Sequence, residues 1–420
     1  MRRGPARWAA LAMCVTLSLP MVAKSAYWQG GWHETQDQLH DVAALLGGPL
    51  AVAAGCWHGG RERRTRMAEL RACGARGPLA QFLVAALPVL LGVLVGYLVV
   101  VAGALLASWP YVSAGRPLAG PPAADAVYLA AMATVGMVGG RLLRWRLAAP
   151  ALAVCAYVVI GVWSRQTSAF GFLDPAASGN VDELPVWWQP WVMAAWLAGL
   201  VSAVVVGYAV RRHRYLAVLP LAVAVAAAVP LMGCGGDMWH TDPLRKTSVC
   251  DDASPRVCVD ALNSDLLPAV SHALSGITGR LDGVPHAPVR FRDPPRPGHH
   301  EARLPELYLG QSVVRGELVD PEAFAWEAGA GLTGIECARF SPTDDAVLDW
   351  LVSNRLSEQR REAGAEAARK SGDPAMVKDA EAETRGLARL RAMDDDERHA
   401  WLGRYFASLD DCEKGEVPTL

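Results

Sequence analysis

The sequence predicts an α-helical polytopic membrane bundle of about seven transmembrane helices, amino terminus in and carboxy terminus out. A mainly helical α+β extracytoplasmic domain follows it. Three observations carry this reading. The 420-residue chain is 52% hydrophobic with a mean hydropathy of +0.17, too apolar for an ordinary soluble protein of two-domain length. Apolar runs near the length needed to cross a ~30 Å hydrocarbon core recur through the first 235 residues. Arginines crowd alternate connections between those runs. The net charge of -2 hides a division, because most acidic residues lie after Gly235. The expected domains are therefore residues 1–235 in the membrane and 236–420 outside it, the latter with an α+β core at 250–340 and a helical region at 341–410.

In chain order, spans are expected near residues 8–24, 41–58, 79–107, 122–140, 147–163, 187–210 and 215–233. The charge pattern tests their direction. Segments on the predicted inner side hold Arg2, Arg3 and Arg7, then Arg61, Arg63, Arg64, Arg66, Arg71 and Arg76, then Arg141, Arg144 and Arg146, and finally Arg211, Arg212 and Arg214. Predicted outer loops before the seventh span hold only Lys24, Arg116 and Arg165. Lys and Arg favour the cytoplasmic side, so the amino terminus is inside, and an odd number of crossings puts residues after 235 outside.

The third span is long and contains Pro88, which marks a place for a tilt, a kink or an interfacial turn. Gly92, Gly96 and Gly103 in the same span permit close helix approach. The spans are read as free of Asp, Glu, Lys or His at mid-membrane, which argues against an ion-coupled carrier. The outer loops are aromatic, with Trp109-Pro110-Tyr111 and Trp187-Trp188-Gln189-Pro190-Trp191, the composition of an interfacial belt.

The first inner loop, Gly59-Gly60-Arg61-Glu62-Arg63-Arg64-Thr65-Arg66-Met67-Ala68-Glu69-Leu70, is long enough for a short amphipathic helix. Its Arg-Glu-Arg, followed by Glu-Leu and by Arg-Gly-Pro before the third span, resembles the first cytoplasmic loop of type 2 ATP-binding-cassette exporter permeases and their actinobacterial relatives. The resemblance covers roughly residues 1–210. It implies that residues 59–78 couple to an ATPase, with Arg61, Glu62, Arg64 and Glu69 as polar contacts. No Gly-x-x-x-x-Gly-Lys-Ser/Thr phosphate loop occurs in the sequence, so the ATPase would be a separate chain. The extra seventh span and the outer domain depart from the six-span plan of that family.

In the outer domain, Cys250, Cys258, Cys337 and Cys412 make an even number on the oxidising side, with three connectivities open. Cys14, Cys56 and Cys155 lie in spans and Cys73 is cytoplasmic. Leu231-Met232-Gly233-Cys234 imitates a lipoprotein box but sits far from the amino terminus, so it reads as a helix end before a Gly-Gly hinge. The sequence around Cys258 and Cys337 resembles an extracytoplasmic domain of exporter-linked membrane proteins, which implies bridges Cys258–Cys337 and Cys250–Cys412.

The local pattern is mixed. Residues 261–282 have helical apolar spacing, 289–292 and 307–309 read as strands, and Asp320-Pro321 opens a helix over 320–333. Gly372-Asp373-Pro374 breaks the helical region, and Asp394 with Glu397 opens a last helix. A helix, strands and a helix resemble the start of a zinc-metalloprotease fold, but Trp326-Glu327-Ala328-Gly329-Ala330 lacks both histidines of His-Glu-x-x-His, so at most a non-catalytic relative is implied. The adjacent His299-His300-Glu301 reads as a solvated loop. No catalytic residue, metal or cofactor is expected. The expected function is a plasma-membrane subunit of an ATP-binding-cassette export or immunity system. Its partners are the lipid bilayer and a separate ATPase, as a homodimer or heterodimer and without nucleic acid. The alternative is a membrane-anchored surface interaction or sensor protein without transport.

Overall fold

The computed structural model describes residues 5–64, 77–143, 145, 147–163, 168–180, 183–292, 300–333, 341–409, 418 and 420. The chain divides into two compact units, Met1–Asp242 and Pro243–Leu420. The division falls after residue 242 because strand β2, Trp239–Thr241, pairs antiparallel with β1, Glu183–Pro185, inside the first unit.

The first unit is built from helices α1 (Pro5–Ala23), α2 (Trp32–Val42), α3 (Gly48–Arg64), α4 (Pro78–Ser108), α5 (Gly120–Leu142), α6 (Ala148–Trp163), α7 (Gln189–Ala209) and α8 (Val218–Cys234). A π-helical turn, Ala43–Gly47, joins α2 to α3 without a break. Among the described residues, six helical stretches are long and apolar enough to cross a membrane, and the α2–α3 stretch runs from Trp32 to Arg61. The fifth predicted span forms α6, apolar but only 16 residues long. Pro88 lies inside α4, which continues unbroken for 31 residues.

Small residues set the closest packing. A Cβ on Gly55 would run into the Ala133 carbonyl oxygen and one on Gly59 into that of Met137, while Gly136 and Gly140 make the reciprocal approach to Val52 and Cys56. Two Gly-x-x-x-Gly pairs, one on α3 and one on α5, thus let the two backbones touch. On α4, Gly92 and Gly96 meet the α1 backbone at Ala6 and Ala10, whereas Gly103 faces open space.

The second unit has an apolar interior. A four-stranded sheet runs β3 (Ser248–Cys250), β4 (Arg256–Asp260), β5 (Arg290–Arg292) and β6 (Glu301–Arg303), antiparallel at its first pair and parallel at the next two. Helix α9 (Leu267–Leu281) makes the crossover from β4 to β5, and its Val270, Leu274 and Ile277 bury against Val257, Val259 and Phe291. Residues 261–266, expected within that helix, form a tighter 3-10 segment started by Asp260, whose Oδ1 accepts from the Asn263 N–H at 2.9 Å. Of the expected second strand, only Leu309 makes an isolated bridge, to Val313.

The caps read from sequence are present. Asp320 accepts from the Ala323 N–H at 2.9 Å to start α10 (Pro321–Ala330). Helices α11 (Pro342–Val352), α12 (Arg355–Ser371), α13 (Pro374–Ala392) and α14 (Asp395–Ala407) follow. Gly372, at φ +67°, takes the left-handed turn between α12 and α13, and Asp394 accepts from the Glu397 N–H at 2.8 Å.

The cysteine pairing differs from the expected one. Cys250 is bonded to Cys258, because the β3–β4 register sets the two residues directly opposite each other. This replaces both Cys258–Cys337 and Cys250–Cys412; Cys337 and Cys412 lie outside the described residues.

Candidate functional site

The face of α2 that carries His33, Gln36, Asp37 and His40 has the i, i+3, i+4, i+7 spacing of one helical stripe. On α5 the residues Pro121, Ala124, Asp125 and Tyr128 repeat that spacing. The two stripes meet around a cavity of about 70 Å³. Its remaining wall comes from the start of α7 and from the connection before it, including Glu183, Pro185 and Gln189, with Trp239 of β2 beside them. Gly179 is held against the Trp239 ring so closely that a Cβ there would collide with it.

Within this site three side chains from three helices converge. His40 Nδ1 lies 2.7 Å from Asp125 Oδ1, and the Tyr97 hydroxyl of α4 donates to Asp125 Oδ2 at 3.0 Å. Asp125 is 4% exposed and Tyr97 fully buried. Both carboxylate oxygens are thus satisfied, which is the condition for keeping a charge-bearing group away from water. The other ring nitrogen, His40 Nε2, is buried and has no hydrogen-bond partner among the described residues, and the same holds for His33 Nε2.

Supporting bonds fix the helices that carry this triad. Gln36 donates to the Leu118 carbonyl at 2.6 Å and accepts from its N–H at 2.9 Å, tying α2 to the connection before α5. Thr35 and Ser108 hydroxyls lie 2.6 Å apart, joining α2 to the end of α4. The Tyr128 hydroxyl donates to the Ala44 carbonyl at 3.0 Å inside the π-helical turn, where Gly48 leaves room for the ring. Single π-helical turns inside α-helices are rare and recur at functional sites. His40 sits about 12 Å along its helix from Trp32, and Asp125 about 8 Å along α5 from Gly120, at 1.5 Å per residue. Trp32 and Trp109 meet edge-on at that end of the bundle, with ring centroids 6.0 Å apart.

The connection between α6 and α7 adds Asp174, 1% exposed, whose Oδ1 accepts from the Ala176 N–H at 2.9 Å. Burial pushes its carboxyl above the usual carboxylate range, against the opposing effects of that hydrogen bond and of His40.

The spans are expected to lack ionisable groups at mid-membrane, and the structure pairs His40 with Asp125 nearer the Trp32 and Gly120 ends of their helices. The second span was expected from residue 41, which left His40 one position outside it, whereas the helix begins at Trp32. Asp125 lies near the start of the expected fourth span, 122–140. The signal that finds both is the pair of matching four-residue stripes.

The residues expected to meet an ATPase are not brought to this site. Arg61 is exposed in the last turn of α3, where Glu62 and Arg64 also fall, and Glu69 lies outside the described residues. In the second unit, the helix compared with a metalloprotease, α10, turns Phe324, Ala325 and Ala328 into the core, and Trp326 lies beneath Arg360 at 4.0 Å. Glu301 pairs with Arg290 at 3.3 Å, while His299 lies outside the described residues. Among the described residues, no group of three or more His, Cys, Asp or Glu side chains is arranged to hold a metal ion.

A second cluster of carboxylates lies between α11 and α13. Asp349, 3.0 Å from Arg361 Nε but out of line for a hydrogen bond, is pushed up to about 6 by burial, with Asp345 adding to the rise and Arg361 opposing it. Glu383 is pushed up to about 7 by burial and by the charges of Asp349 and Asp345. Comparison with protein-family models, with characterised proteins and with solved structures returns no match.

Proposed function

We propose that this chain is a multi-pass protein of the cell membrane whose bundle holds a proton- or cation-exchanging site at His40, Asp125 and Tyr97, and that it works as an ion-linked transport protein. The observation that carries the reading is the convergence of His40, on the amphipathic α2, and Tyr97, on the apolar α4, upon Asp125, which is 4% exposed on the apolar α5. An ionisable pair in such surroundings is costly, and in membrane proteins it marks a pathway for ions or protons. The arginine pattern supports an amino terminus inside. With α6 counted as a crossing, seven crossings from an inner amino terminus would leave the second unit outside, a reading supported by the Cys250–Cys258 bond, which suits an oxidising compartment.

The test is proton movement into liposomes that contain the full chain and an internal pH indicator, under a potassium diffusion potential. Wild-type protein should raise proton entry above that of protein-free liposomes, and Asp125→Asn should remove the increase. Equal rates with and without wild-type protein contradict the proposal. Orientation is checked separately with Ser371→Cys in a chain whose Cys234, Cys337 and Cys412 are replaced by serine; a membrane-impermeant maleimide should label it on intact cells and leave the serine background unlabelled.

Export driven by a separate ATPase is the second reading. It is favoured by the unbroken run of α3 into Arg61–Arg64, which carries basic residues beyond the apolar stretch. Mild detergent extraction should then bring an ATPase down with the chain, and substitutions at Arg61 should release it.

A further inference from the structure

A second cavity, about 590 Å³ and lined by apolar side chains of α5, α7 and the start of α8, shares Tyr128 and Leu197 with the polar cavity. The volume is within the range of small-molecule sites, roughly 300–1,000 Å³. The two cavities lie on continuous stripes of the same helices. Along α5 the lining runs from Pro121 and Asp125 through Tyr128 to Met132 and Val135. Along α7 it runs from Gln189 and Met193 through Leu197 to Val201 and Val204. Both sets keep to spacings of three and four residues, so they face each other over about 21 Å at 1.5 Å per residue. On α5 the lining is apolar beyond Tyr128, and on α7 it is apolar from Pro190 onward.

We propose that these two adjoining cavities bind a lipophilic cation, with its charge drawn toward His40 and Asp125 and its apolar groups against the lining beyond Tyr128. The inference rests on the ion-linked reading above. Sign of charge follows from the lining: Asp37, Asp125 and Glu183 are present, and among the described residues no lysine or arginine lines either cavity. Protonation of His40 offsets one carboxylate and leaves the cavity negative. An anionic amphiphile would meet uncompensated repulsion there. A bare metal ion fits poorly, because the described residues offer no group of ligands arranged for one. Hydrophobicity follows from the chamber, which would give a small hydrophilic amine no apolar contact to exploit. Val204, Val218 and Leu221 at its edge are themselves exposed, opening the chamber on the side of the bundle that carries apolar surface.

The experiment is equilibrium dialysis of radiolabelled tetraphenylphosphonium against the full chain in lipid nanodiscs. Saturable binding is expected, weakened about tenfold or more by Asp125→Asn combined with Asp37→Asn, and by Ala131→Phe, which fills the chamber. Val204→Trp, at the half-exposed rim, serves in place of either variant that does not elute as folded protein. Tetraphenylborate should not displace the probe, and tetramethylammonium should displace it only weakly. Absence of saturable binding to folded wild-type protein, binding unaltered in folded variants, or equal displacement by tetraphenylborate each overturns the proposal. A pH indicator in weak buffer separates this inference from its premise. Binding without proton release keeps the two-cavity binding site and removes the proton linkage, whereas a liposome proton current without tetraphenylphosphonium binding keeps the proton site and overturns the lipophilic-cation proposal.

Discussion

The two units bury their polar groups in opposite settings. In the second unit, Asp344 is held inside an ordinary apolar core by Tyr405 at 2.6 Å and Ser341 at 2.7 Å, and large apolar side chains left outside are scattered, as at Val289 and Val319. In the first unit the helices turn Leu83, Leu87, Leu91 and Leu98 outward, all about half exposed, while His40, Asp125 and Tyr97 meet inside. Water as the surrounding solvent would penalise the outward leucines of the first unit and hydrocarbon would not. The difference teaches that a buried carboxylate has two meanings here. Asp344 locks a helix cap to a core tyrosine, whereas Asp125 is the polar end of a cavity.

The largest effect should come from the contact that positions that cavity. Gly136→Leu drives a side chain into the Val52 backbone, and Gly55→Leu does the same at Ala133. Either should abolish recovery of monodisperse protein from detergent, whereas Gly103→Leu, with nothing within 4 Å, should not. Normal recovery of Gly136→Leu would show that α3 and α5 do not pack this way. Next comes Asp125→Ala, which takes the partner from the buried Tyr97 and the partly buried His40 and should cost about 2–4 kcal/mol, read as a lowered thermal midpoint.

The disulfide gives a smaller effect, confined to the second unit. Peptide mapping without reduction should find Cys250 joined to Cys258. Closing a loop with a sequence separation of 8 contributes about 2–3 kcal/mol, so Cys258→Ser should lower the unfolding midpoint accordingly. The smallest effect is pH-dependent. Asp349 and Glu383 are raised in the folded chain above their ordinary values, so the fold binds protons that the unfolded chain releases. Their protonation stabilises the fold at low pH, and that stabilisation is lost as pH rises through about 6 to 7. The unfolding midpoint should fall by a few degrees between pH 5 and 8, and Glu383→Gln should flatten that slope.

Much of the architecture was legible from sequence because it rests on local rules. Run length marked the helices, and Asp320, Asp394 and Gly372-Asp373-Pro374 marked helix boundaries through capping chemistry that acts over three residues. The site was less legible because it is made by long-range pairing. His40 meets Asp125 across 85 residues, and Asp125 meets Tyr97 across 28. Hydropathy also misled at residues 32–40, where a polar stripe on one helix face lowers the average and imitates a loop. The cysteine bond failed for a related reason. The resemblance implies distant partners, whereas a hairpin with residues 251–255 as its loop sets Cys250 opposite Cys258.

The central claim is that Asp125 serves as an ionisable site and not merely as a packing element. Infrared difference spectra of the full chain in nanodiscs, recorded between two pH values, test it directly when paired with thermal unfolding of the same samples. Asp125→Asn keeps the shape and one acceptor for Tyr97, so the account predicts an unfolding midpoint close to wild type together with loss of a carboxyl signal that wild type shows. Identical difference spectra for wild type and Asp125→Asn, with both proteins folded, would contradict it.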